Sequence, residues 1–499
     1  MRDPERIPVI VGVGQIADRP DHWQDGLDSL GLMEAALRRA DADAGGGWLS
    51  DLDTLATVDQ ISCPDLTTIA DDLAARLGAT RARTETTDMP HGDSPVRLLN
   101  EAANRIGAGE IRIAAIVGGE SLRTSAARAR AGDPGKRPGD ILRGSPKRLA
   151  NPFRAAHGLN APTDMYPLYE NATREAWGQT LAAGQGETGA IWSRMAKVAA
   201  DTEGAWIRSA PDAEEIVTPS PANRPIAHPY TKFMVANASV NQGAGFIVTS
   251  LAEARRRGLP DSRTVHVGLG AAAKEPAELL DREGYTRSPS MQAVLTATLA
   301  RNAVTAADLA HVELYSCFPC VPKMARRIIG WPEDRPVTVF GGLTFGGAPV
   351  ANYMGHAIVC MTDRLRGTGT KGLVYGNGGI VTTNHAILLS GAPLADAVFP
   401  QDFDVQADAD ALRGPPPGVS DSHTGPVSVE SWTVHYDRDG ALLRGVIVAR
   451  LPDGMRTLAL VPPDDTATIA EMISGDALVG RAGRIDRKGD LRVFRFAAA

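Results

Sequence analysis

The sequence predicts an α/β protein made of two copies of one unit, followed by a small all-β module. The copies show directly: VIVGVGQIADRP at residues 9–20 returns as VHVGLGAAAKEP at 265–276, an offset of 256 residues. The register holds downstream, where DLDTLATVD from Asp51 meets DLAHVELYS from Asp308 and IVGG from Ile116 meets LVYG from Leu373, each within a residue or two of that spacing. Strand-length apolar runs also alternate with helical stretches, the pattern of β-α-β units. Beyond residue 425, apolar and polar side chains alternate between Asp-Gly turns, which reads as antiparallel sheet. A duplicated α/β unit sets its site where the copies meet, so the junction should carry the chemistry.

Taken in order, the first copy (1–260) opens with a strand at Val9 to Val13. A helix follows over about Gly26 to Ala42, then a strand at Leu52 to Val58, a helix at Ile69 to Leu77, and a helix from Pro95 to Ala108 leading into IRIAAIVG. Alternation of this kind predicts a mostly parallel sheet. Residues 121 to about 230 break the pattern with Arg- and Pro-rich runs, the stretch NAPTDMYPLYENATREAWGQ and a helix around Thr188 to Ala200, and are expected to form a loop domain over the sheet. The second copy spans 261–405, residues 406–425 have the Pro, Gly and Asp content of a linker, and the β module fills 426–499.

Composition narrows the class. A chain of 499 residues, 43 % hydrophobic and 22 % charged, is an ordinary globular protein of two to four domains. No apolar run reaches the length of a membrane span, and MRDPERIPVIVG enters the first strand without a signal-like apolar region. Four cysteines (Cys63, Cys317, Cys320, Cys360) make no disulfide framework, so the expected location is the cytoplasm. A net charge of −7 argues against the whole chain binding nucleic acid.

Four motifs invite chemistry. Gly12-Val-Gly14-Gln-Ile-Ala17 has dinucleotide spacing, but ADRPDHWQDG follows where a phosphate-binding helix must start, so it reads as a strand exit. Cys317-Phe-Pro-Cys320 lacks a second ligand pair for zinc, and its prolines predict a turn rather than a helix start. Cys317 does follow a strand at the sheet edge where open α/β sheets hold ligands; the alternative is a buried, inert thiol. GGLTFGGAPVANYMGH from Gly341 and YGNGGIVTTNH from Tyr375 are glycine-dense loops able to point amides at a carbonyl, or simply to let the two halves pack. RAGRIDRKGDLRVFRF from Arg481 is basic and strand-like, more in keeping with a solvated barrel face than with nucleic-acid binding.

Several of these segments together resemble the thiolase superfamily. HGDSPVRLLNEAANRIGAGEIRIAAIVGGES resembles its nucleophile helix and following strand, HVELYSCF its HDCF motif, GGLTFGGAP its GHP loop and GNGG its last glycine loop. IPVIVGVGQ, HPYTKFM and the terminal β module resemble thiolase-like proteins of type 1, which carry an additional C-terminal domain of OB-like character. The resemblance implies two β-α-β-α-β-α-β-β halves stacked as five αβαβα layers, and a CoA thioester as substrate with no other cofactor and no metal. It also shows departures: Gly92 stands at the nucleophilic cysteine, Ala348 at the GHP histidine, and Tyr315 and Ser316 at the first two HDCF positions. Covalent acyl transfer needs both nucleophile and base. The resemblance then implies an acyltransferase-class, acyl-CoA-handling protein of altered chemistry. Cys317 is its expected acid/base, with Tyr315 and His356 beside it, and Ser94, Asn352, Tyr353, Asn377, Gly378 and Gly379 form its substrate pocket. The alternatives are a retro-aldol lyase using Tyr315 and a non-catalytic acyl-CoA or lipid-binding scaffold. Thiolases dimerise through a sheet edge that the extra domain could block, so monomer and homodimer both remain open, and any nucleic acid would fall to the C-terminal domain.

Overall fold

The computed structural model describes residues 3–132, 151–489 and 491–497. The first unit runs β1 (Pro8–Ala17), α1 (Ser29–Asp43), β2 (Thr54–Thr57), α2 (Ile69–Leu77), β3 (Arg83–Thr86), α3 (Ser94–Ala108) and β4 (Ile113–Ser121). An insertion follows, with α4 (Leu122–Arg130), α5 (Pro162–Ala176), α6 (Leu181–Ala200) and the short strands β5 (Pro225–Ala227) and β6 (Tyr230–Thr231). The chain then returns through β7 (Asn241–Ser250). The second unit repeats the order as β8 (Val265–Lys274), α7 (Pro289–Arg301), β9 (Leu309–Leu314), α8 (Cys320–Ile329), α9 (Tyr353–Leu365), β10 (Lys371–Gly378) and β11 (Thr383–Ser390).

Helix starts are chemically marked: Asp28 accepts the Gly31 amide (2.7 Å) ahead of α1, and Ser288 caps α7 with Pro289 in its first turn. The long helix of the insertion starts at Leu181, capped by Thr180, seven residues before the expected Thr188.

The strands form one sheet in the order β3-β2-β4-β7-β1-β8-β11-β10-β9, two mirrored half-sheets joined where Val9 and Ile10 pair with His266 and Val265. The expectation of a mostly parallel sheet needs correction. β2 runs parallel to β3 and β4, and β9 to β10, but every pairing through β7, β1, β8 and β11 is antiparallel. β11 follows β10 after a tight turn rather than a helical crossover, and a turn reverses the strand.

Period-2 alternation explains why both faces are apolar. Val9, Val11, Leu55, Ile113, Ala115 and Val117 pack under α1 and α2, whereas Ile10, Val13, Ala56, Ala114 and Ile116 face the larger core. α3 and α9 touch strands of both half-sheets and each other, so they form the middle layer, and α7 and α8 cover the far side. The result is the five-layer α/β stack.

The C-terminal part is a closed five-stranded barrel: β12 (Gly425–Tyr436), β13 (Leu442–Arg450), β14 (Arg456–Val461), β15 (Ala482–Lys488) and β16 (Leu491–Phe496), in the order β13-β14-β16-β15-β12 with β12 also paired to β13. This closure has OB-like connectivity. The stretch expected as linker contains a helix, α10 (Gln406–Leu412), packed on α7; Ala409 is fully buried there, and that contact overrides the flexible composition. A last helix, α11 (Thr466–Ile473), crosses between β14 and β15. Strand β5 pairs with β12 (Ala227 with His435), so the insertion extends the barrel's sheet. Among the described residues no helix is long and apolar enough to cross a membrane.

Candidate functional site

The N-terminus of α3, the end of β9 and the β10–β11 turn converge at the junction of the two halves. Gly92, just ahead of α3, is where the resemblance places the nucleophile. A Cβ built on it would run into the Tyr315 phenol, with Tyr315 Cζ at 2.6 Å, and into the Asn377 carbonyl oxygen. The phenol therefore stands in the space a thiol would need. Tyr315 is held by its amide on Tyr375 O (3.1 Å) and by an edge-on contact with Tyr353 (5.9 Å), and its hydroxyl has no hydrogen-bond partner among the described residues. Burial pushes this phenol well above the usual tyrosine range, and charge on Cys317 and Asp93 would push it further.

Cys317 lies beneath a residue that sequence reasoning missed. Tyr166, on α5 of the insertion, stacks on Phe318 (4.3 Å), donates to Gly379 O (3.1 Å) and accepts the Val381 amide (3.1 Å). Burial pushes the Cys317 thiol up to about 12, with the Tyr166 phenol pulling it part of the way back, so the sulfur is a neutral thiol near pH 7. Behind it, fully buried Lys323 pairs with Glu170 (2.6 Å), which also accepts from Tyr230 (3.0 Å). Cys317 to Pro319 make the expected bend and turn, but Cys320 then begins α8, because a helix tolerates Pro319 and Pro322 at its start, where few amide donors are needed.

Of the expected pocket residues, Asn377 joins the centre most directly. Its backbone carbonyl lies against Gly92, its side-chain Oδ1 accepts from Tyr166 (3.4 Å), and its side-chain amide nitrogen is buried with no partner among the described residues. Gly378 leaves room for a second cluster: Thr383 Oγ1 donates to Asp93 Oδ1 (2.5 Å) and lies 3.2 Å from His91 Nδ1. A Cβ on Gly378 would lie 2.8 Å from that ring nitrogen and 2.9 Å from that carboxylate oxygen. Burial raises the Asp93 pKa, against the opposing Thr383 hydrogen bond and the His91 charge. His91 and Asp93 flank Gly92 in HGDSP, so their place in the sequence was a usable signal; Thr383, 290 residues from Asp93, offered none.

The remaining expected residues are turned to other partners. Asn352 donates to Gly118 O (2.7 Å) and Ala244 O (3.2 Å), tying the middle layer to the first half-sheet. Tyr353 donates to Glu313 (2.9 Å), a carboxyl that burial pushes up to about 7. His356 does not reach Cys317. Its ring stacks on Phe340 (4.8 Å), Nδ1 bonds Gln15 Oε1 (2.8 Å), and burial holds it down to about 3, so it stays neutral at pH 7. Ser94 is buried in the first turn of α3 with its amide on His91 O (3.0 Å), and Gly379 accepts from Tyr166.

The basic strands of the barrel are largely neutralised: Arg481 pairs with Glu471, Arg484 with Asp486, Lys488 with Asp464 and Arg495 with Asp465.

Two mirrored half-sheets about a central helix pair, with a loop insertion and glycine loops meeting at the junction, define the thiolase fold. The family profile described as thiolase-like protein type 1 additional C-terminal domain matches residues 404–490. A monomeric SCP2-thiolase-like protein type 1 from Mycobacterium smegmatis is similar along 99 % of this chain and 100 % of its own, at 28 % identity and a TM-score of 0.83. The chain thus carries the additional C-terminal domain of thiolase-like proteins of type 1 and is similar to one of them along its whole length. The Ltp2-ChsH2(DUF35) aldolase shares the fold over 79 % of this chain and 100 % of its own (18 % identity, TM-score 0.62). So does human mitochondrial 3-ketoacyl-CoA thiolase in complex with CoA, over 78 % and 98 % (14 %, TM-score 0.56). No curated protein sequence matches the chain significantly.

Proposed function

We propose that the chain handles acyl-CoA thioesters without forming an acyl-enzyme, and that its reaction is retro-aldol cleavage of a β-hydroxyacyl thioester with Tyr315 as proton donor. One observation carries this reading: the Tyr315 hydroxyl, without a hydrogen-bond partner among the described residues, stands in the space a Cβ at Gly92 would need. A phenol with a raised pKa keeps its proton at pH 7 and serves as donor rather than base. A carboxyl raised by burial is the better base, and Asp93 is in place for it. In this reading Asp93 takes the β-hydroxyl proton, the bond between Cα and Cβ breaks to leave a carbonyl product, and the electron pair moves to the thioester oxygen. The Asn377 amide and the Tyr315 hydroxyl stabilise that enolate until Cα takes the Tyr315 proton, after which the proton held by Asp93 returns to the phenolate. Cys317, neutral beneath Tyr166, packs the site. The CoA-bound thiolase of the same fold supports the substrate class, and the aldolase of the same fold supports the reaction class.

The test is a panel of β-hydroxyacyl-CoA esters of different chain length, followed by mass spectrometry for the carbonyl product and the shortened acyl-CoA. Expected are turnover in the parent, loss of turnover with retained binding in Tyr315→Phe, and unchanged turnover in Cys317→Ser. Turnover surviving in Tyr315→Phe sinks the mechanism. A scaffold that binds without reacting is the second reading, favoured by burial: Tyr315 is 8 % exposed, Cys317 7 % and Asn377 1 %. Binding with no turnover on any ester would select it.

The same reading makes the chain cytoplasmic, since all four cysteines are free thiols, and monomeric. Edge strand β3 reads RTET with Arg83 exposed, and short charged edges resist pairing with another sheet. Light scattering should return 52.6 kDa; twice that mass would overturn the monomer.

A further inference from the structure

Away from the emptied centre, the loop after β1 and the segment after α6 enclose a cleft of 650 Å³ whose lining includes Gln15, Arg19, Arg39, Glu203, Trp206 and Arg208. It is cationic in a chain of net charge −7. Arg19 lies over the Trp206 ring at 4.2 Å, and Arg123 lies over Trp23 at 4.2 Å and 5.8 Å from Trp206. The two indoles, 6.2 Å apart, fix the guanidinium groups through their ring faces.

The hydrogen bonds of these arginines leave their charge unmatched. Arg19 donates to Ala205 O and Trp206 O, Arg39 to Gln15 O and Arg208 to Ala200 O, all backbone carbonyls. Among the described residues no carboxylate pairs with Arg19, Arg39, Arg123 or Arg208, and the Arg123 guanidinium has no hydrogen-bond acceptor. Asp18 is turned onto the Leu27 amide (2.8 Å), and Glu203 pairs with none of the four. Burial, and then repulsion from Arg123 and Arg208, lowers the Arg19 pKa. An anion in the cleft would relieve that repulsion.

We infer that this cleft is a binding site for a phosphate-bearing polyanion of nucleotide size, such as the diphosphate of a nucleotide or coenzyme. Guanidinium forks meet phosphate oxygens two at a time, and several unspent forks converge here, where a single carboxylate would leave most unmatched. The volume suits a ligand of that size. The cleft also backs onto the loop that carries Ala348: Trp206 donates to Gly346 O (2.9 Å), Ile207 to Phe345 O (2.7 Å), and Gln242 bridges Gly204 O and Gly346 O. The site does not depend on the chemistry at Tyr315.

Calorimetric titration of the full chain with pyrophosphate, ADP, CoA and dephospho-CoA, at low and high salt, tests it. Expected is salt-weakened binding of at least one of the four, reduced about tenfold or more in Arg123→Gln and in the surface variant Arg208→Gln, with thermal midpoints checked for folding. CoA well above dephospho-CoA and ADP would assign a coenzyme with its extra phosphate as the source. ADP equal to CoA would assign a free nucleotide. No heat from any of the four at low salt overturns the site, as does binding that both variants leave unchanged. Tyr315→Phe should leave these affinities as they are, which separates failure here from failure of the proposed reaction.

Discussion

At position 92 the absence of a side chain is a packing requirement. Because a Cβ there meets the Tyr315 ring and hydroxyl, Gly92→Ala should destabilise the chain by about 1–3 kcal/mol, the usual range for overpacking. In a Tyr315→Ala background the same change should cost much less, and a double-mutant cycle from urea unfolding measures the coupling. Additive costs would mean that the phenol does not occupy that space. The place of Gly92 just ahead of α3 is legible in the sequence, since a helix keeps its register. What fills the position was only half legible. Tyr315 stood in a recognisable motif, but Tyr166 and Thr383 arrive from other parts of the chain, and no local pattern announces a contact between distant segments.

Helix α5 shows how one element couples the insertion to both the site and the barrel. Its Tyr166 covers Cys317, while farther along Asn171 donates to Trp432 O (2.9 Å) and Glu175 accepts the Leu478 and Val479 amides of the barrel. In a Cys63→Ser background, which removes the only half-buried thiol, Tyr166→Ala should speed thiol labelling at Cys317 by about tenfold or more, as intact-mass kinetics would read. No change would mean that Phe318 and the helix backbone shield the sulfur without the phenol. The barrel's own anchor is Arg456, fully buried, which bonds Glu430 (2.8 Å) and the Leu280 and Arg282 carbonyls (2.5 and 2.7 Å) of the second half. Arg456→Ala leaves Glu430 to Arg450 alone and strands the two carbonyls, at a cost of about 1–3 kcal/mol for each unpaired carbonyl; a melting point within a degree of the parent would contradict that. Elements with strong periodicity were read well, and α2 falls on its expected residues, Ile69 to Leu77. The helices that begin at Cys320 and Gln406 are not legible in the sequence, because prolines and polar composition signal irregular chain only where no neighbour packs on them.

Across the whole molecule, buried ionisable groups set opposing pH dependences. Burial holds His356 and His385 down to about 3 and His228 to about 4, against 6.5 when free, so the unfolded chain takes up these protons first. Their contribution is complete above about pH 6.5 and is lost as pH falls below it, at about 1.4 kcal/mol per unit for each group. Glu120 and Glu313, raised by burial to about 8 and about 7 from 4.5, act with the opposite sign: the folded chain keeps protons that the unfolded chain has released, so stability drains as pH rises from 4.5 towards those values. Among these five groups the three histidines outweigh the two glutamates below pH 6.5 and only the glutamates act above it; His157, His266, His311 and His435, lowered by burial, reinforce the acid limb, and Asp93, raised by burial, acts in the glutamates' direction. Denaturation midpoints should therefore peak near pH 6.5, and Glu120→Gln should flatten the alkaline limb; a monotonic profile across pH 5–8 would refute the account. The repeat made the two-half architecture readable before any motif was considered. The antiparallel centre of the sheet was not, because alternation of strands and helices is silent about how the last strand of each half returns. The barrel strand that receives the insertion's β5 sets a matter of timing. Ala227 meets its partner His435 only after about two hundred more residues have left the ribosome. At about 5–20 residues per second that is a wait of roughly 10–40 s, during which β5 in the nascent chain has β6 as a neighbour on one side and an open edge on the other.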